Sequence, residues 1–184
     1  MPKLTAVRFP RTAAAIVLAL GLVHCSGQQP PAAPKDPSQH DVLVEVRSVL
    51  LDPSSNRPIV VLEEVGGHRR LPIWIGEAEA RSIAVELSGV EWPRPNSHDL
   101  AKRLLAGLEA SVERVVIRDL RAGTYFAVLV VRAVGKRVEI DARPSDAIAV
   151  ALRVDAPVYV RAALLVEPGE GHGPSDAEEK RVAL

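Results

Sequence analysis

The chain has 184 residues, enough for one domain of ordinary size with tails; 47% are hydrophobic and only 3% aromatic, so the core must be built from Val, Leu, Ile and Ala. Basic and acidic residues number 23 each, which excludes the broad basic footprint of most nucleic-acid binders and leaves any such contact to a local cluster. A single cysteine excludes an internal disulfide.

Lys3, Arg8 and Arg11 precede an apolar run from Ala13 to Val23. A positive flank before a short apolar stretch is the pattern of a secretory signal peptide, and the run falls short of the ~20 residues a membrane span needs. Cys25 ends it, and Leu22-Val23-His24-Cys25 resembles the lipobox of bacterial lipoproteins, although His24 replaces the usual small residue. The expectation is a signal peptide over 1–25 with lipidation on Cys25, a Pro-rich tether over 26–40, a folded domain over 41–166 and a polar tail over 167–184. Such a protein would be exported and held at a membrane of the cell envelope.

Within the domain, Asp41 to Leu51 alternates with Val42, Val44 and Val46 on one face, and the spacing predicts a strand. Asp52-Pro53-Ser54-Ser55-Asn56 is turn chemistry, and the apolar run Ile59 to Leu62 completes a hairpin. A third strand is expected at Leu71 to Ile75. Helical spacing then predicts a helix over Glu77 to Leu87, a proline-containing loop over Glu91 to Asn96, and a second helix over Ser97 to Leu108 with Ser97 as its N-cap. Val112 to Leu120, Thr124 to Val134 and Arg137 to Asp141 read as an antiparallel meander, with the last tight turn at Gly135-Lys136. Pro144 opens a third helix to Arg153, because its fixed φ suits a first turn. Pro157 to Val166 is a last strand or extended segment. The fold class is α+β: one domain, a mixed, mostly antiparallel sheet and about three flanking helices.

Polar residues gather at two helix starts. Asp141, Arg143, Ser145 and Asp146 surround the junction of the last meander strand and the third helix, and His98-Asp99 opens the second helix. Helix N-termini favour anions, and a guanidinium matches phosphate oxygens. His98, Asp99, Asp141 and Asp146 are therefore the candidate catalytic residues, Arg94, Arg143 and Ser145 the candidate substrate-binding residues, and Asp99, Asp141 and Asp146 candidate ligands of a divalent cation such as Mg²⁺, with Asp119 a further carboxylate for that set. Each of these residues singly has a plainer role as a cap or an ion-pair partner.

Four stretches in order carry a resemblance: Leu71 to Gly76 with Glu79-Ala80, Arg94 to Leu100, Asp119-Leu120 with Gly123 to Ala127, and Asp141 to Leu152. Together they resemble the bifunctional nuclease domain family, also catalogued as DUF151, over about Val42 to Val166. Ser97 departs from the Thr usual there. The resemblance implies an α+β domain that self-associates into a homo-oligomer and a nuclease acting on DNA and RNA. The alternative is a non-catalytic envelope module that binds a protein partner or a small ligand through the same junction.

Overall fold

The structure, a computed structural model, describes residues 40–168. The expected signal peptide, Cys25, the tether and most of the polar tail lie outside the described residues. Seven strands form one sheet in the order β3-β2-β1-β7-β4-β5-β6: β1 (Asp41–Leu51), β2 (Pro58–Glu64), β3 (Arg70–Trp74), β4 (Ser111–Arg121), β5 (Thr124–Ala133), β6 (Lys136–Ala142) and β7 (Val158–Arg161). Three helices complete the domain: α1 (Glu77–Ser88), α2 (Ser97–Gly107) and α3 (Pro144–Arg153). It is the α+β arrangement expected from the alternation of period-two and helical spacing.

The sheet is mixed. β1–β2–β3 and β4–β5–β6 are two antiparallel meanders. β7 joins them, antiparallel to β1 and parallel to β4. The chain thus returns from α3 to the centre of the sheet. Pro72 lies on the edge strand β3, where a residue without an N–H costs least.

One face of the sheet carries the core. Val60, Leu62, Ile73, Val115, Ile117 and Leu129 pack there against Ala80 and Ile83 of α1 and Ile148 of α3. Eight of the ten residues of α3 are buried, so this helix is apolar almost all round, as a central helix must be. It packs against both α1 and α2. The three helices therefore meet on the core side, and their polar side chains are drawn to one place.

Two local expectations shift by a residue. The N-cap of α2 is Asn96, not Ser97: its side-chain oxygen accepts from the backbone N–H of His98 and Asp99, and the Asp99 carboxylate accepts from the N–H of Asn96. This reciprocal pair satisfies more orphan donors than a serine at 97 could. The last hairpin turn is Val134-Gly135, not Gly135-Lys136, with positive φ at both residues (50° and 70°), as a two-residue turn matching strand twist requires. Lys136 is the first residue of β6.

Candidate functional site

The site grows from α1. Ser82 lies in the middle of that helix and is buried at 6% exposure. Its Oγ meets three partners: Arg153 Nη2 at 2.9 Å, Asn96 Nδ2 at 3.1 Å and His98 Nδ1 at 2.8 Å. The Asn96 amide is oriented by the two backbone N–H groups that its oxygen accepts, so its nitrogen faces Ser82 as a donor. Arg153 can only donate. A hydroxyl has two acceptor sites and one hydrogen, so Ser82 must donate to His98 Nδ1. The hydrogen of the imidazole is therefore on Nε2, which points at Asp146 Oδ1 3.2 Å away.

Asp146 stands in the first turn of α3, after the strand-to-helix break at Arg143-Pro144. Besides His98 it accepts from Arg143, through Nε to Oδ2 at 2.8 Å and Nη2 to Oδ1 at 3.1 Å. Arg143 Nη2 also donates to Glu79 Oε1 of α1 at 2.5 Å. Burial pushes the Asp146 carboxyl up, but hydrogen bonds from Arg143 and His98 and the charge of Arg143 outweigh it, and the group is held below its usual range. Arg143 is raised above the ordinary guanidinium value, by its bond to Asp146 first and Glu79 second. Gly76 has a local reason to be glycine: a Cβ there would come within 2.3 Å of Glu79 Oε2 and push this side chain aside.

Arg153 closes the network from below. Its side chain is 2% exposed and donates through Nε to Asp99 Oδ1 at 2.6 Å and through Nη1 to the Ala149 carbonyl at 2.8 Å. Burial pushes Asp99 up; the Arg153 bond, the Asn96 N–H and the charges of Arg153 and Arg103 more than offset it, so Asp99 also sits below its usual range. A chain of polar contacts thus runs Asp99, Arg153, Ser82, His98, Asp146, Arg143, Glu79 across the three helices.

The upper end of this chain opens into a cleft of about 360 Å³ lined by Glu79, Ser82, Trp92, His98, Arg143 and Asp146, among others. Of the residues singled out from sequence, His98, Arg143 and Asp146 meet in this cleft. Asp99 does not line the cleft and joins them indirectly, through Arg153 and Asn96 to Ser82. Asp141 is exposed on β6, paired with Val128, and lines neither this cleft nor its neighbour. Arg94 is exposed in the loop before α2 and also lines neither. Ser145 lines a second, adjacent cleft, and Asp119 is bonded locally to Arg121. Among the described residues no three His, Cys, Asp or Glu side chains come close enough to hold a metal ion together. The pair Glu79 and Asp146 faces the cleft, both on the Arg143 guanidinium. Two carboxylates do not make a protein cage; a Mg²⁺ held by so few protein oxygens would need to take most of its ligands from water.

Sequence reading missed Ser82, Glu79, Asn96 and Arg153 as site residues. Arg153 carried a signal: a lone cation ending a helix whose other residues are almost all apolar. Ser82 carried a weaker one, a hydroxyl between Ala80 and Ile83 on the buried face.

The sequence pattern of the bifunctional nuclease domain matches residues 60–170, which includes every residue of this network. The chain belongs to the bifunctional nuclease family. It is 44% identical over 126 residues to a Mycobacterium tuberculosis protein named only as uncharacterised, covering 68% of this chain and 75% of that one. It is 33% identical over 116 residues to bifunctional nuclease 2 of Arabidopsis thaliana and 28% identical over 114 residues to bifunctional nuclease 1 of Oryza sativa subsp. japonica. The chain spans 35% and 34% of those two plant proteins, so the shared part is the domain and not their whole length. In this family member three of the four motif stretches supply Glu79, Asn96, His98, Asp99, Arg143 and Asp146, and five of the six belong to the polar chain that links the cleft to the Arg153 anchor; Asn96 braces it at Ser82.

Proposed function

We propose that the protein hydrolyses phosphodiester bonds of DNA and RNA at the cleft of His98, Arg143 and Asp146. The observation that supports this most is the meeting of an imidazole N–H and a guanidinium on one carboxylate, with His98 and Asp146 48 residues apart in two motif stretches, at the mouth of a cleft. Arg143 presents a planar fork, 66% exposed, that can exchange a carboxylate for phosphate oxygens. Water attacks phosphorus and the P–O bond to one sugar breaks. The water proton passes to the Asp146 carboxylate, which the His98 Nε2–H and the Arg143 fork orient, and the leaving oxygen takes a proton from solvent. Mg²⁺ carried on the phosphates, with Glu79 and Asp146 as its protein donors, would polarise a phosphoryl oxygen.

The same proposal extends to the whole chain. It is exported, lipid-anchored at Cys25 and faces the periplasm or exterior, on the strength of the basic flank, short apolar run and placed cysteine. It forms a homo-oligomer, a reading supported by the leucines at 100 and 104 of α2 and at its C-cap, 108, which are 54%, 56% and 69% exposed. The test of the activity is incubation of the full chain with single-stranded DNA and RNA, with Mg²⁺ and with EDTA. Cleavage that is lost in His98→Ala and Asp146→Asn supports the reading. Intact substrate under all conditions would leave a binding module, whose ligand the same cleft would take.

A further inference from the structure

The two edges of the sheet are built differently. At one edge β3 carries Pro72, and its first residue, Arg70, bridges to Val166, so that strand is short, lacks an N–H and is partly covered. At the other edge β6 has seven residues without proline, glycine or bulge, in unbroken register with β5. Among the described residues no strand pairs with its outer side. A regular edge of this length offers a row of backbone N–H and C=O groups to a strand that fits beside it. Val138 and Ile140 lie opposite Val131 and Leu129 of β5, on the sheet face that carries the core, yet they are 46% and 45% exposed. The apolar face of the sheet therefore runs on past its own cover.

The charges of β6 say which strand fits. In chain order they are Lys136, Arg137, Glu139 and Asp141, two cations and then two anions. A parallel copy in register would set like charge on like, whereas an antiparallel copy sets the cationic half on the anionic half. Directly opposed residues share a face of the sheet, so a symmetric pair of β6 strands must be centred on one residue. Centred on Glu139, the pairing uses the whole strand: Arg137 faces Asp141 of the second copy, Val138 faces its Ile140 and Lys136 its Ala142. A centre at Val138 leaves Asp141 outside the pairing, and a centre at Ile140 sets Glu139 on Asp141. Within one copy Asp141 takes part in no hydrogen bond or ion pair among the described residues, and Arg137 shares Glu113 with Arg132, so both have room for a partner from outside. Glu139 meets its own counterpart at the centre, but Arg118 of the same copy binds it at 2.7 Å and offsets the like charge.

We propose that β6 seats a second copy of this chain: the two β6 strands pair antiparallel about a twofold axis through Glu139 and continue the sheet from one copy into the other. The inference rests on the homo-oligomer reading and deepens it to an interface, a symmetry and a register; it does not depend on the nuclease reading. The contact is isologous and closes at two copies, and the blunted β3 edges stop further growth of the sheet. Val138 and Ile140 of both copies form one aliphatic cluster on the core side, where cross-strand β-branched pairs stabilise a sheet. Asp141, which lies outside both clefts, gains a partner of opposite charge.

The test uses the full chain with Cys25→Ser, in which an introduced cysteine is the only one. Pairing about Glu139 brings its Cα within ~5.5 Å of its counterpart, inside the range of a disulfide, and leaves residues 138 and 140 each beyond ~7 Å from their own counterparts. Glu139→Cys is therefore expected to form a covalent dimer on mild oxidation. Val138→Cys and Ile140→Cys are expected to stay unlinked alone and to link when mixed. In sedimentation velocity at low salt, Asp141→Arg is expected to weaken the dimer about tenfold, because two like-charged pairs replace two opposite ones. Adding Arg137→Asp to it restores the pairs with their signs exchanged, and with them the parent's affinity. Circular dichroism first shows that each variant keeps the parent's fold. An oligomeric parent in which Glu139→Cys does not link, or in which the second reversal rescues nothing, would overturn the β6 pairing and leave the homo-oligomer reading to the α2 leucines. Linking with equal ease at 138, 139 and 140 would mark chance collisions and overturn the pairing as well. A parent that is monomeric at every concentration would overturn both.

Discussion

Asp146, Ser82 and Arg153 each hold their place for a different reason. Asp146 is oriented by what it accepts, Ser82 by the limit of its own hydroxyl, and Arg153 by burial that only its partners make tolerable. Removing Arg153 would leave Ser82 and Asp99 without their buried donor. Arg153→Ala is expected to cost on the order of 3 kcal/mol in urea unfolding, the range for breaking a buried ion pair by deleting one partner. A loss under ~0.5 kcal/mol, typical of an exposed pair, would show that the network is loose. The pH dependence follows from Asp99 and Asp146, whose folded values are lowered. Lowered carboxylates contribute stability that is complete above the unfolded value, roughly 3.9, and is lost as pH falls from there through the folded one. Thermal melts are therefore expected to hold steady from neutrality down to about pH 5 and to fall steeply below about pH 4, with a shallower fall in Asp99→Asn. At this scale the sequence was half legible. His98, Arg143 and Asp146 stood out because they begin helices, where charge has a local use. Ser82 did not, because a serine inside an amphipathic helix has no local signature; its role exists only where three helices touch. Asp141 stood out by its neighbours in the chain, and strand alternation turned it away from them.

Elements were more legible than their contacts. The starts of β1, β2, α1, α2, β5 and α3 follow from turn residues, alternation and the proline at 144, all of which act within a few residues. The place of β7 does not follow from any local pattern. Its four residues acquire an order between β1 and β4 only when two distant meanders are already formed. The same limit applies to α2. Its sequence has leucines on more than one side, and the structure turns Leu105 toward the core and leaves Leu100, Leu104 and Leu108 exposed at i, i+4 spacing. A row of this kind is the face that the proposed homo-oligomer would cover with a second copy. Leu104→Glu, at a 56% exposed position, is expected to leave the fold intact by circular dichroism and to shift the protein to a smaller species in sedimentation velocity. An unchanged sedimentation coefficient for parent and variant would remove this face from the assembly.

For the whole molecule, the folded domain and the amino-terminal segment make separate claims. Export by way of Cys25 predicts that Cys25→Ser moves the protein from the membrane fraction to the soluble one, since lipid chains and not the domain would hold it there. Equal membrane retention of the variant would refute the anchor. Among the described residues no helix is long and apolar enough to cross a membrane, so the domain offers no second anchor of that kind. The domain's own claim is chemical, and its neutral charge makes it specific: without a broad basic surface, the proposed cleavage would depend on the cleft. The measurement that tests this most directly is the initial rate of oligonucleotide cleavage by the full chain, by Asp146→Asn and by Asp141→Asn, side by side at neutral pH. Asp146→Asn removes the carboxylate that joins His98 to Arg143 and is expected to lower the rate at least a hundredfold, the low end for loss of a positioned acid–base group. Asp141→Asn, on the exposed edge strand outside the cleft, is expected to stay within about twofold of the parent, as a surface change away from the site should. Equal rates for parent and Asp146→Asn, or a greater loss in Asp141→Asn, would contradict the account.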